Sequence, residues 1–120
     1  MAKILVHVTH GPEAPSRAAL AFLVAKTALD DGHEVSMFLA IDAVQLVRPA
    51  VVENLAGLGT GKLAEHVAAL KTGGCKFYLS KMSCAARGVT EEDAASVGAE
   101  MAPPNVLVAL SRDHDRMFTY

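Results

Sequence analysis

The chain has no tryptophan, four phenylalanines, two tyrosines and two cysteines in 120 residues. The shortage of aromatics argues against base-stacking platforms for single-stranded nucleic acid and against aromatic cages for cations. Charge of one sign is also missing. Eleven Lys and Arg face thirteen Asp and Glu, a formal net charge of −2, with no basic stripe and no acidic tail. Nucleic acid is therefore not an expected partner. The longest uninterrupted apolar run, Ala18 to Ala25, is far short of the roughly 20 residues that span a bilayer, so no membrane partner is expected. The chain opens with one Lys and a strand-like stretch rather than an apolar targeting core, which points to cytoplasmic residence. Two cysteines in that setting are expected to be free thiols.

What is present is a core. Hydrophobic residues make up 52% of the chain, enough to bury one core over a single domain, 1–120, without metal or disulfide staples. "KILVHVT" (Lys3 to Thr9) is a β-branched apolar run ended by "HGP", and reads as a buried strand. "APSRAALAFLVAKTALDDG" reads as a helix, with Pro15 in its first turn and Gly32 past its end. Its Ala18–Ala28 portion is apolar on nearly all sides, which predicts cover from more than one side and hence a subunit interface.

"EVSMFLA" (Glu34 to Ala40) is a second strand, apolar on both faces, as parallel sheets require. "DAVQLV" makes a short helix at most. The apolar stretch Val47–Leu58 has no clear periodicity and reads as an unusually hydrophobic loop, a second candidate interface. "GKLAEHVAALKTGG" is an amphipathic helix with Leu63, Val67 and Leu70 inward and Lys62, Glu65, His66 and Lys71 outward. "CKFYL" (Cys75 to Leu79) is the third strand, and "SCAARG" a helical turn closed by Gly88. Thr90 begins a capping-box pattern, with a short strand expected near Ala95–Gly98. "PPNVLVALSRDHD" reads as a helix and "RMFTY" as a closing strand. The order is that of a single-domain three-layer α/β/α fold with an open, mostly parallel five-stranded sheet.

In such sheets ligands bind beyond the carboxyl ends of the strands. That edge collects Thr9, His10 and Glu13 after the first strand and Asp42 after the second. Ser80, Lys81, Ser83 and Cys84 follow the third, with Arg87 one turn on. The two cysteines stand at opposite ends of the third strand, whose five residues span about 16 Å, too far for a disulfide. Cys75 is expected to be a buried, inert thiol. Cys84 is open to two readings. With Ser83 as a cap it would occupy the first or second position of a helical turn, whose free N–H groups, with Arg87, favour thiolate. Alternatively it packs the turn as a small apolar residue.

Other motifs carry less. His7 lies within the first strand and reads as a core or interface residue; His33 reads as surface. Asp113–His114–Asp115 reads as a solvated helix end, and no metal is expected. "GLGTGKLA" fails as a phosphate loop, because Ala56 stands where its first glycine belongs and Leu63 follows the lysine. The dinucleotide fingerprint and a serine nucleophile elbow are also absent, and no cofactor is expected.

The stretch Lys3–Val44, "GGCKFYLSKMSCAARGV" and "DHDRMFTY" together resemble the DsrE/DsrF-like proteins over nearly the whole chain. The resemblance implies a flavodoxin-like layout without flavin, cytosolic residence, and homo-oligomers (trimer or hexamer) or mixed assemblies. It also implies a sulfur relay, in which a cysteine takes sulfur as a persulfide and hands it to the next relay protein. By the resemblance the carrier cysteine falls on Ser80 and a second cysteine position on Ser83. A serine hydroxyl forms no persulfide, so a sulfurtransferase-type carrier role would rest on Cys84. The alternative is a non-catalytic binding or assembly subunit of the same family.

Overall fold

A computed structural model describes all 120 residues. The β-branched run Lys3–Val8 forms β1, and the breaker after it releases the chain into α1, Pro15–Asp30. Pro15 sits in the first turn, where its missing N–H costs nothing. Glu34–Leu39 forms β2, followed by a 3-10 helix over Ile41–Val47 and the short helix α2, Pro49–Asn54. A tight hairpin, β3 (Ala56–Gly57) and β4 (Gly61–Lys62), leads into α3, Leu63–Thr72. Then come β5 (Lys76–Ser80), α4 (Lys81–Arg87), α5 (Glu91–Ser96), β6 (Glu100–Ala102), α6 (Pro104–Asp113) and β7 (Arg116–Thr119).

The main sheet has the order β6-β5-β2-β1-β7, and all its neighbours run parallel. Alternation along each strand divides its side chains between two faces. Val6, Val8, Met37, Leu39, Phe77 and Leu79 join the large core beneath α1, α3, α4 and α5. The other face carries Leu5, Phe38 and Ala102, which pack against Val106, Leu107 and Leu110 of α6 alone. The result is the three-layer, flavodoxin-like α/β arrangement expected. No helix is long and apolar enough to cross a membrane.

Topology locates a crevice. The connections after β1, β2 and β5 leave toward the large core, whereas the connection after β6 leaves toward α6. The adjacent strands β5 and β6 thus part company at their carboxyl ends, at Ser80 and Ala102. In open α/β sheets, divergence of this kind marks the edge where ligands bind.

Three local expectations are corrected. The strand placed near Ala95–Gly98 lies at Glu100–Ala102 instead, because Ala94 and Val97 are buried around the end of α5. The stretch Val47–Leu58 is not a plain loop but contains α2 and the start of the hairpin. His66 is not on the surface. It is 7% exposed, and its Nε2 donates to the Thr60 carbonyl at 2.8 Å, clasping the hairpin to α3. The apolar girth of α1 is covered within the chain in part: Ala18, Ala19, Ala21, Phe22, Ala25 and Ala28 are buried between the sheet on one side and α3 with β3 on the other, while Leu20, Leu23 and Val24 stay partly exposed.

Candidate functional site

The carboxyl edge of the sheet gathers the expected residues into two clusters. In the first, Ser80 ends β5 and caps α4, its Oγ accepting from the Ser83 N–H at 3.3 Å. Ser83 is itself buried, and its Oγ accepts from the Ile41 N–H at 2.8 Å. Asp42 Oδ1 accepts from Arg87 Nε at 3.0 Å, and Arg87 also reaches the Ser83 carbonyl at 3.4 Å. Arg48 donates to the Arg87 carbonyl, while its own buried Nε has no partner. Gly88 closes α4 in the left-handed conformation, φ 66°. Lys81 is exposed and makes no hydrogen bond or ion pair.

In the second cluster, Glu13 grips the loop after β1. Its Oε1 accepts from the Gly11 N–H at 2.7 Å and its Oε2 lies 3.1 Å from His10 Nδ1. Arg17 NH1 lies 3.2 Å from His10 Nε2. Arginine only donates, so His10 accepts at Nε2 and presents Nδ1–H to Glu13. Arg17 has no carboxylate partner and borders a cleft of about 600 Å³ with Ser16, Thr60, Thr119 and Tyr120. Thr9 belongs elsewhere: its N–H and hydroxyl both donate to the Tyr120 carbonyl, at 2.7 and 2.9 Å, and tie down the last strand. The two clusters meet where Gly11 lies against the Asp42 carbonyl; a Cβ on Gly11 would stand 2.1 Å from that oxygen.

Ile41 is strained. It is the one non-glycine residue with positive φ, 46°, at a β-branched side chain for which that region is an outlier. Arg17, Arg48 and Ile41 escaped the sequence reading. Arg17 lies in the first turn of α1, and the loop His10–Ala14 folds back onto it, a tertiary contact that leaves no periodic signal in the sequence.

Cys84 differs from its expected placement. Ser80, not Ser83, is the cap, so Cys84 is the fourth residue of α4 and not its first or second. It is 1% exposed and part of the large core. Burial pushes its thiol above the ordinary range. The Glu91 and Asp93 carboxylates add to that, and Arg48 opposes it. Cys75, half-buried at the opposite end of β5, is pushed by burial up to about 12. Both cysteines are free thiols.

A model of the DsrE/DsrF-like family matches residues 2–120. The chain belongs to this family. The uncharacterized protein MJ0989 of Methanocaldococcus jannaschii is 30% identical over 122 residues, covering 98% of this chain and 99% of that one. Among solved structures, the ychN protein of E. coli superposes with a TM-score of 0.80 at 18% identity, each chain wholly covered. MTH1491 of Methanobacterium thermoautotrophicum gives 0.73 at 12% identity, again with full coverage of both. At those identities the likeness is one of fold. In this DsrE/DsrF-like chain, the corner after β5 presents two serines and a sealed thiol.

Proposed function

We propose that this chain is a non-carrier subunit of the DsrE/DsrF-like family, one that associates with copies of itself or with related subunits and binds a small anion at its sheet edge. The single observation behind this reading is the state of Cys84. A persulfide carrier needs a thiolate that its donor can reach. Here the thiol is packed in the core, held toward its protonated form, and placed beyond the helix start that would activate it. Ser80 and Ser83 use their hydroxyls to cap α4 and hold Ile41.

Exposed apolar side chains favour association. Leu58 is 93% exposed at the hairpin tip, and Met82, Ile41 and Val108 are also open. The proposed oligomeric surface takes in the hairpin, the Ile41–Met82 corner and the partly exposed Leu20, Leu23 and Val24 of Ala18–Ala28. The anion partner is Arg17, a guanidinium without a carboxylate, on the rim of the wide cleft.

Intact-mass measurement after incubation with a low-molecular-weight persulfide, on the native chain, Cys84→Ser and Cys75→Ser, tests the reading. The expected result is no stable sulfur gain on any of the three, with size-exclusion light scattering showing the same oligomer for each. Uptake of one sulfur, abolished only by Cys84→Ser, would instead establish the sulfurtransferase-type carrier role.

A further inference from the structure

A second cavity lies at the opposite, amino-terminal edge of the sheet, about 100 Å³ in volume, between the strand ends and the last turn of α6. The β pairing explains its lining. Lys3, Glu34, Ser36, Lys76 and Tyr78 fall in register on the same face, the one covered by α6, and His114 closes the cavity from the helix end. Three of these groups have unmet hydrogen-bonding capacity. Ser36 is only 5% exposed, yet its hydroxyl bonds to no protein atom. The Tyr78 hydroxyl has no protein partner either. His114 donates from Nδ1 to the Leu110 carbonyl at 2.7 Å, which leaves Nε2 as a buried acceptor without a donor. Of these, His114 Nε2 is a buried polar atom left unmatched, uncommon in folded proteins and calling for a partner, and Ser36 and Tyr78 line the same cavity.

The charges are also unevenly matched. Lys3 lies 2.6 Å from Asp113 and 3.9 Å from Glu34, so both carboxylates are engaged by one ammonium. Lys76 has no carboxylate partner. The free inventory is therefore one ammonium and two hydroxyls that can donate, and one imidazole nitrogen that accepts in the tautomer with its hydrogen on Nδ1. The carbonyl end of α6 would repel an anion, but its Leu110 oxygen already accepts from both the N–H and Nδ1 of His114.

We propose that this cavity binds a small oxyanion that still carries a proton, of the hydrogenphosphate or hydrogencarbonate class. Its anionic oxygens accept from Lys76 Nζ, Ser36 Oγ and Tyr78 Oη, and its own hydroxyl donates to His114 Nε2. In that tautomer a fully deprotonated anion would set its lone pairs against that of Nε2, and a cation would face Lys76. The water alternative is specific: a cavity of this size has room for roughly three molecules.

The test is titration of the intact protein with inorganic phosphate at constant ionic strength and pH 7, followed by calorimetry and by amide and imidazole chemical shifts. The expected result is saturable binding with shifts centred on Ser36, Lys76 and His114. Ser36→Ala and Lys76→Gln each weaken affinity about tenfold, the loss of one charge-assisted hydrogen bond. Lys62→Gln, on the exposed strand β4, leaves the affinity unchanged. Absence of saturation in the millimolar range would identify the cavity as a water site and overturn the proposal. So would shifts that leave Ser36, Lys76 and His114 unmoved, or affinities indifferent to Ser36 and Lys76. None of these outcomes bears on whether Cys84 carries sulfur.

Discussion

The Ile41 N–H donates to Ser83 Oγ at 2.8 Å, joining the end of β2 to α4 across 42 residues of sequence. This bond holds Ile41 in the left-handed region at φ 46°. Removing the acceptor with Ser83→Ala leaves a partly buried N–H without a partner, and is expected to cost about 1–2 kcal/mol. Ile41→Gly relieves the strain while losing little buried surface, since Ile41 is half-exposed. It should leave stability unchanged or raise it by up to about 1 kcal/mol. Urea unfolding of both variants checks the pair, and a loss of more than about 2 kcal/mol in Ile41→Gly would show that its side chain packs more than it strains.

Gly11 is fixed by proximity rather than by dihedral. Its missing Cβ leaves room for the Asp42 carbonyl, which would stand 2.1 Å from that atom. The loops after β1 and β2 are both backbone-anchored there, so neither yields cheaply. Gly11→Ala should destabilise by about 2–3 kcal/mol, the range for forced overpacking. Gly59→Ala meets no atom within 4 Å but has φ 78°, and should lose only about 1 kcal/mol from backbone strain. Thermal or urea melts that rank the two the other way would contradict the packing at this corner.

The Arg87–Asp42 pair, though well formed at 3.0 Å, retains solvent access on both side chains, 26% and 46%. Screening limits such pairs, and a double-mutant cycle with Arg87→Ala and Asp42→Ala should return a coupling of about 0.5–1 kcal/mol that weakens in high salt. A coupling above about 3 kcal/mol would mark the corner as closed to water.

Cys75 gives an alkaline signature. Its thiol is raised from an ordinary 9.0 to about 12 by burial, so the folded chain keeps the proton after the unfolded chain has lost it. Its stabilising contribution is complete below pH 9 and disappears as the pH climbs toward 12. Cys75→Ala lacks this slope. The gap in urea midpoint between native chain and variant is expected to shrink steadily from pH 8 to pH 11, whereas parallel curves would show that Cys75 titrates normally.

How much of this was legible depended on the strength of each local signal. β1, β2, β5 and α1 are long apolar runs bounded by breakers, and they emerged with the right type and order. β6 did not, because three residues at a sheet edge, one of them Glu100, carry little pattern against the buried Ala94 and Val97 nearby. α2 has six residues and no buried side chain, so it leaves no periodic trace. The cap of α4 was misplaced for a physical reason: Ser80 and Ser83 both suit an N-cap, and only the pairing of Ser80 with Ala102 at the end of β5 decides between them. That three-residue shift moved Cys84 from an activated helix start into the core. His66 was misread because its spacing places it beside outward residues, while the hairpin that covers it, folded over α3 through Gly61, is a tertiary fact.

The decisive measurement is the alkylation rate of Cys84 by iodoacetamide between pH 6.5 and 9, resolved from Cys75 by peptide mass and compared with the same chain in urea. A buried, protonated thiol predicts native labelling at least about a hundredfold slower than unfolded labelling across this range, because reaction must await local opening. Rapid native labelling with an apparent pKa below that of the unfolded thiol would contradict the account and return Cys84 to the role of sulfur acceptor.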